Sequence, residues 1–229
     1  MKKAPLEVAK HPVGMDEIVK DFERSGEKSI QSEDCVQIVG ILGFGGSGKT
    51  TLATELYNRK RESFSFHRSC FLRDVREAAS KNALHKKHKK LLQDLRIQAP
   101  SFDDMWEGKA IVADRLNSLR VLIVLDDIDH DDQLDALLPS KDSLGSGSFV
   151  IVTTREGDVL RKWGITSIYK MQPLQQFHAR QLICWHAFLQ PFPQEGFEDL
   201  VENSLDVSNG LPLSLTVIGG QFKGETSKD

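Results

Sequence analysis

The sequence is short of cysteine, of long apolar runs and of excess charge, and each shortage excludes a class of protein. Only 3 of the 229 residues are cysteine, and Cys35, Cys70 and Cys184 form no C-x-x-C pair. A disulfide framework and a zinc site are therefore not expected, and a reducing compartment fits best. The longest purely apolar run, VLIVL at 121 to 125, is far too short to cross a bilayer.

The charge is nearly balanced, with 30 basic and 33 acidic residues and a net charge of −3. This offers no overall drive toward nucleic acid or an anionic membrane. The basic cluster HKKHKK at 85 to 90 has no interleaved aromatic residues and is more typical of a solvated helix face, so a nucleic-acid partner is not expected. The N-terminus has no apolar run behind its first lysines, so we expect no secretory signal and a cytoplasmic location, with the nucleus as the alternative.

The clearest motif is GFGGSGKTT at 43 to 51, which matches G-x-x-x-x-G-K-[ST]. An apolar, strand-like run precedes it and a helix-forming run follows. Its glycines allow successive backbone N–H groups to turn inward around an anion, as phosphate-binding loops do. We expect Lys49 to contact the β- and γ-phosphates of a nucleotide and Thr50 to ligate Mg²⁺. The predicted nucleotide-binding residues of this segment are Gly43, Gly45, Gly46, Ser47, Gly48, Lys49, Thr50 and Thr51.

Two later strands end in charged residues that complement this loop. RVLIVLDD at 120 to 127 is a continuous apolar run, typical of a strand buried on both faces of a parallel sheet. We expect Asp126 to hold Mg²⁺ directly or through water, and Asp127 to orient or deprotonate an attacking water. FVIVTTR at 149 to 155 ends in Arg155, a predicted γ-phosphate ligand that would distinguish ATP from ADP.

The alternation of strands and helices predicts an α/β fold with a doubly wound parallel sheet. Strands are expected at 35–42, 69–75, 120–127 and 149–155, and helices at 14–24, 84–98 and 104–118. Three consecutive helices without strands follow residue 172. We therefore expect an N-terminal linker and helix at 1–34, a nucleotide-binding domain at 35–171 and a small all-helical domain at 172–229. The abrupt ends suggest a piece of a longer polypeptide, with the helical domain truncated.

The order of the motifs is specific enough to suggest a family. They run as PVGMDEI, GILGFGGSGKTTLA, FLRDVRE, VLIVLDDID, GSGSFVIVTTR, LICWHAF and NGLPLSLTVIGG, and cover nearly the whole chain. The chain resembles the NB-ARC module of plant intracellular immune receptors, a STAND-class P-loop ATPase related to the nucleotide switch of animal apoptosis-activating proteins. LDDID with FLRDVRE is similar to the subclass that carries an N-terminal TIR domain.

The resemblance implies further roles. The glycine loop and the paired acids would bind the Mg-nucleotide, and Arg155 would sense the γ-phosphate. Pro212 of GLPL would pack at the nucleotide from the helical domain, and Val13 and Gly14 would lie near the adenine. Ser214 departs mildly from the alanine usual in that motif.

The sequence thus suggests an ATP/ADP switch in which slow hydrolysis resets the state. Expected partners are TIR, winged-helix and leucine-rich repeat domains of a longer receptor, and like subunits on activation. The alternative is a stand-alone P-loop ATPase whose turnover is the function. The sequence shows no N-K-x-D guanine reader and no arginine-rich lid, which argues against a GTPase and a small-molecule kinase.

Overall fold

The sheet has five strands, all paired in parallel. A computed structural model of the chain describes residues 4–27, 35–62, 66–81, 83–138 and 140–223. The strand order is β2-β3-β4-β1-β5, which confirms the predicted α/β class. The strands are β1 Gln37–Leu42, β2 Arg68–Leu72, β3 Val121–Ile128, β4 Phe149–Thr154 and β5 Ser167–Lys170.

Ten α-helices connect or follow these strands in the described parts of the chain. Those within the sheet unit are α1 Met15–Glu27, α2 Lys49–Glu62, α3 Val75–Ser80, α4 Leu84–Asp94, α5 Met105–Leu116, α6 Asp131–Leu137 and α7 Gly157–Lys162. The last three are α8 Gln176–Phe188, α9 Glu198–Ser208 and α10 Pro212–Gln221. None of the described helices is long and apolar enough to span a membrane.

Strand β3 is buried on both faces of the sheet, and this burial explains why its sequence is continuously apolar. Ile123 and Leu125 pack on one face of the sheet, against a cluster that includes side chains of α4, α5 and α6. Leu122 and Val124 pack on the other face, in a cluster with side chains of α1 and α2. Because successive strand residues point to opposite faces, a strand covered on both sides needs apolar residues throughout.

The last three helices have a core of their own. Ile183 of α8, Val201 of α9 and Leu215 of α10 are each fully buried in one cluster, against which Val13 from the N-terminal segment also packs. A third cluster of this kind agrees with the expectation of a separate helical unit. The boundaries at residues 34 and 171 remain predictions.

The topology brings the ends of three strands to one edge. β1 lies between β4 and β5, and its register pairs Leu42 with Thr154, so the glycine loop begins beside the end of β4. The β3–β4 ladder is irregular between Leu125 and Ile128. Asp126 and Asp127 fall within that irregularity, at the carboxyl edge where parallel sheets bind ligands.

Candidate functional site

The glycine loop connects β1 to α2 in the expected conformation. Gly46 and Gly48 have φ values of +77° and +91°, which only glycine adopts readily. The Gly43 amide donates to the Thr154 carbonyl oxygen at 3.2 Å, which ties the loop to β4. The buried Ser47 hydroxyl has no hydrogen-bond partner among the described residues. A glycine loop with an unsatisfied buried hydroxyl fits an anion ligand, because such groups normally have partners.

Lys49 is buried at the start of α2 and bonds to its own loop. Its Nζ donates to the carbonyl oxygens of Gly43 and Phe44, both at 2.8 Å. Burial, and secondly the nearby Arg155, lowers the pKa of Lys49 below its ordinary value. The ammonium is therefore held in place at the loop, where a phosphate would meet a partly desolvated charge.

Asp126 is the centre of a small oxygen cluster. Its Oδ1 accepts from the Thr50 hydroxyl at 2.9 Å and from the Thr153 hydroxyl at 2.7 Å. Burial raises the pKa of Asp126, while the two hydroxyl bonds act in the opposite direction. Hard oxygen ligands of this kind fit Mg²⁺, which commonly takes one or two protein ligands and completes its shell with phosphate and water. Within the described ranges, no group of three or more His, Cys, Asp or Glu side chains forms a metal site by itself.

Asp127 lies between two arginines. Its backbone is in the left-handed region, with φ of +61°, and its amide donates to the Thr153 hydroxyl at 2.9 Å. Its carboxylate is 3.0 Å from the Nε of Arg76 and 3.8 Å from the Nε of Arg155. The sequence identified Arg155 but missed Arg76, which belongs to FLRDVRE and comes from α3. Asp127 is therefore a counter-ion here, and its proposed work on a water molecule remains a prediction.

Arg155 also lies close to the glycine loop. A Cβ built on Gly45 would be 3.1 Å from an Nη of Arg155. The guanidinium at the end of β4 and the loop after β1 are therefore neighbours, as their order in the sheet requires.

These groups form one end of a cavity of about 610 Å³, a volume in the usual range for small-molecule sites. His11 and Val13 from the N-terminal segment, and Leu182 and His186 from α8, line the other end. The lining also includes Gly46, Ser47, Gly48, Lys49, Thr50, Thr51, Asp74, Arg76, Asp126, Asp127, Arg155 and Pro212. Gly14 has φ of +71° and lies against the His178 ring.

Helix α10 contacts the glycine loop through its first turn. The Leu213 amide donates to the Gly46 carbonyl oxygen at 3.2 Å. A Cβ on Gly46 would be only 2.5 Å from the Leu213 Cβ, so glycine at position 46 permits the approach. Pro212 lines the cavity beside this contact. The helical unit therefore touches the predicted phosphate loop directly.

The basic run at 85 to 90 makes contacts within the chain. Lys89 pairs with Asp103 and Lys90 with Asp94, each at 2.8 Å. The Lys87 ammonium donates to a backbone carbonyl. The fully buried His88 has its Nε2 2.7 Å from the Ala136 carbonyl oxygen. These partners agree with the interpretation as a structural helix.

The parallel sheet and the glycine loop define a P-loop nucleotide-binding protein. Residues 20–191 match the NB-ARC domain, so the chain belongs to the NB-ARC family. It is 36% identical over 222 residues to the TMV resistance protein N of Nicotiana glutinosa, covering 95% of this chain and 19% of that protein. It is 34% identical over 238 residues to the disease resistance protein RPV1 of Vitis rotundifolia, covering 100% and 17% respectively. The chain thus spans less than a fifth of the length of these relatives.

Solved structures support the fold at low sequence identity. The ORC1 protein of Aeropyrum pernix, solved in complex with DNA, has a TM-score of 0.58 at 12% identity, covering 97% of this chain and 64% of that one. Drosophila ORC bound to DNA has a TM-score of 0.58 at 16% identity, covering 93% and 56%. At these identities the likeness concerns the fold alone.

Proposed function

We propose that the chain is the ATP/ADP-dependent switch module of a plant disease resistance receptor. One observation carries the proposal: Arg155 lies beside the glycine loop, and the Leu213 amide of helix α10 donates to the Gly46 carbonyl oxygen of the same loop. A group that can detect a third phosphate and the first turn of α10 therefore meet at one loop. A ligand shifts a conformational equilibrium only by its different affinity for the two states. The third phosphate supplies that difference.

In this proposal the loop amides and Lys49 bind the phosphates. Mg²⁺ would be held by the Thr50 hydroxyl and the Asp126 carboxylate, and when bound it would neutralise part of the phosphate charge. Arg155 reports the γ-phosphate, and Asp127 orients or deprotonates the water of a slow hydrolysis step. The hydrogen bonds of the Thr50 and Thr153 hydroxyls to Asp126 support the proposed Mg²⁺ ligands.

The opposite end of the cavity would take the base. Val13 lines it, and Gly14 follows at the turn into α1. Pro212, the first residue of α10, also lines the cavity. The proposed domains are the linker and helix at 1–34, the nucleotide-binding domain at 35–171 and the helical domain at 172–229.

The surroundings of the module are inferred from its relatives, which are disease resistance proteins about five times longer than this chain. We propose TIR, winged-helix and leucine-rich repeat domains as covalent partners and like subunits as activation partners. The proposed location is the cytoplasm. The binding of nucleic acid is not part of the proposal.

The test is the nucleotide preference of Arg155→Ala. We expect the variant to lose the preference between ATP and ADP while keeping ADP affinity, because the lost bonds go to the third phosphate only. Isothermal titration calorimetry with each nucleotide measures both. Arg161→Ala is the matched control, since the exposed Arg161 side chain pairs with Asp158 on the surface of α7. Equal loss of ATP and ADP binding would show that Arg155 is structural.

Two further measurements separate the switch from the stand-alone ATPase. ADP retained through purification supports the switch, because a switch holds its resting nucleotide. Steady-state turnover on the order of ten per second would contradict the switch, since this is the median turnover rate of enzymes.

A further inference from the structure

Arg76 lies in the same cavity as the predicted phosphate ligands, although no motif expectation assigned it there. It is the second residue of α3, and its side chain lines the cavity with Asp126 and Lys49. The residue before the helix, Asp74, has φ of +53°, a costly conformation for a residue with a side chain. This backbone turn directs the first turn of α3 toward the carboxyl edge of the sheet.

The contact with Asp127 fixes one side of the Arg76 guanidinium. The Nε of Arg76 is 3.0 Å from Asp127 Oδ2, whereas the Nε of Arg155 is 3.8 Å from Oδ1. Arg76 is thus the more closely held of the two. A guanidinium has five N–H donors in a planar fork, and this contact uses the donor at Nε. The remaining donors belong to a side chain that is 41% exposed and lines the cavity.

The charges around Asp127 point to an anion. One carboxylate serves two guanidinium groups. Burial is the main cause that lowers the pKa of Lys49, but Arg155 and Arg76 are close enough to lower it further, and Asp127 and Asp126 to raise it. An anion with several oxygens can join the three cations, as the Asp127 carboxylate already joins the two guanidinium groups. A terminal phosphate has three such oxygens, and planar guanidinium groups bind them in pairs.

We propose that Arg76 is a second specificity residue for the third phosphate, positioned by Asp127 opposite Arg155. This rests on the proposed function, because it takes ATP and ADP as the ligands of the site. Discrimination between them then comes from two arginines in different parts of the fold, one in α3 and one directly after β4. Asp127 sets the distance between the two, and its left-handed backbone, bonded to Thr153, sets the position of Asp127.

The experiment compares the affinities of Mg-ATPγS and Mg-ADP by calorimetry on the 229-residue chain. Arg76→Gln is expected to weaken ATPγS binding about tenfold, the lower end of the range for a bond to a charged group because the side chain is partly exposed. ADP affinity is expected to stay at the wild-type value. Arg73→Gln is the matched control, since it removes the same charge three residues away, where Arg73 lies over the Phe71 ring.

Arg76→Lys distinguishes the effect of the planar N–H donors of arginine from the effect of its positive charge. Lysine keeps the ion pair with Asp127 but lacks the planar donors. Thermal unfolding of each variant measures the structural role of the pair. A stable Arg76→Lys chain that still loses its ATPγS preference supports the proposal even where Arg76→Gln folds poorly.

Three outcomes decide the matter. If Arg76→Gln keeps the wild-type ratio of ATPγS to ADP affinity while Arg155→Ala loses it, Arg76 is only structural and the proposed switch stands. If Arg76→Gln weakens both nucleotides equally, the residue has no part in discrimination. If the wild-type chain binds neither nucleotide, the proposed function and this inference fail together.

Discussion

The two ends of the cavity are built in different ways. The phosphate end takes its groups from the ends of parallel strands and the loop between β1 and α2, where hydrogen bonds of 2.7 to 3.2 Å fix nearly every group. The opposite end is formed by the N-terminal segment, helix α8 and the start of α10. Its contacts are mainly apolar or aromatic, such as the stacking of His11 on Trp185 with ring centroids 5.1 Å apart.

The difference suggests which end moves. Strand ends share one hydrogen-bonded sheet and shift only as a unit. Packed helices and a terminal segment slide past one another at lower cost, because no hydrogen-bond ladder joins them. A switch built on this plan keeps its phosphate ligands fixed and moves the helical end.

The largest effect on nucleotide affinity is expected from removing the Lys49 charge at the phosphate end of the cavity. Lys49→Ala is expected to weaken ATP and ADP alike, by about ten- to a hundredfold, because a charge-assisted bond is lost to phosphates that both nucleotides carry. Calorimetry measures the two affinities. Lys162→Ala provides a control, since the exposed Lys162 side chain at the end of α7 pairs with Asp131. Unchanged ADP affinity in Lys49→Ala would remove the phosphate role.

An intermediate effect is expected where the two ends touch. Gly46→Ala should destabilise the chain by about 1 to 2 kcal/mol from its positive φ alone, and further because the new Cβ would lie 2.5 Å from the Leu213 Cβ. Urea unfolding measures the change.

Gly220→Ala is the matched change within α10, since Gly220 is in the helix and has no atom within 4 Å of the added methyl. It should stabilise the chain by about 0.5 to 1 kcal/mol through helix propensity. A loss in Gly46→Ala no larger than about 1 to 2 kcal/mol, the cost expected of its positive φ, would show that the close approach of α10 adds nothing.

The smallest effect concerns pH at the helical end. Burial, and then the neighbouring His11 and Lys10, lowers the pKa of His186. Burial and Lys10 likewise lower the pKa of His11, whose ring meets His186 edge-on at 5.2 Å. Because the pKa of each histidine is lower in the folded chain than in the unfolded chain, the unfolded chain binds more protons as the pH falls. Stability is therefore lost as the pH falls below the ordinary value of about 6.5.

His186→Gln should reduce that loss. We expect the difference in unfolding free energy between variant and wild type to grow in favour of the variant from pH 7.5 to 5.5. Urea unfolding at several pH values measures it. Because Asp126 is common to both chains, its own titration cancels in the difference. Parallel pH profiles would show that folding does not lower the pKa of His186.

The phosphate end of the cavity was predicted well from the sequence, because its residues belong to short motifs at or near strand ends. The four predicted strands occur. Lys49 and Thr50 follow the loop after β1, Asp126 lies near the end of β3 and Arg155 follows β4, so a parallel sheet gathers them at one edge. Strand β5 was missed because SIYK has only four residues, with one buried position. Arg76 was missed because its contact with Asp127 depends on how α3 turns after Asp74.

The helical end was less predictable from the residues themselves. Val13, Gly14 and Pro212 were named from the family resemblance, since nothing in their spacing fixes how separate helices pack. The ring contacts among His11, Trp185 and His186 join segments far apart in the chain. Residues 28–34, which contain the predicted linker, lie outside the described residues.

The bond from the Leu213 amide to the Gly46 carbonyl has an evolutionary consequence. It joins main chain to main chain, so a new side chain at position 213 leaves it intact, whereas a new side chain at position 46 does not. Leu213 and Val217 are both more than half exposed on this helix. Natural variation can therefore remodel the outer surface of α10 while the helix stays connected to the loop beneath it.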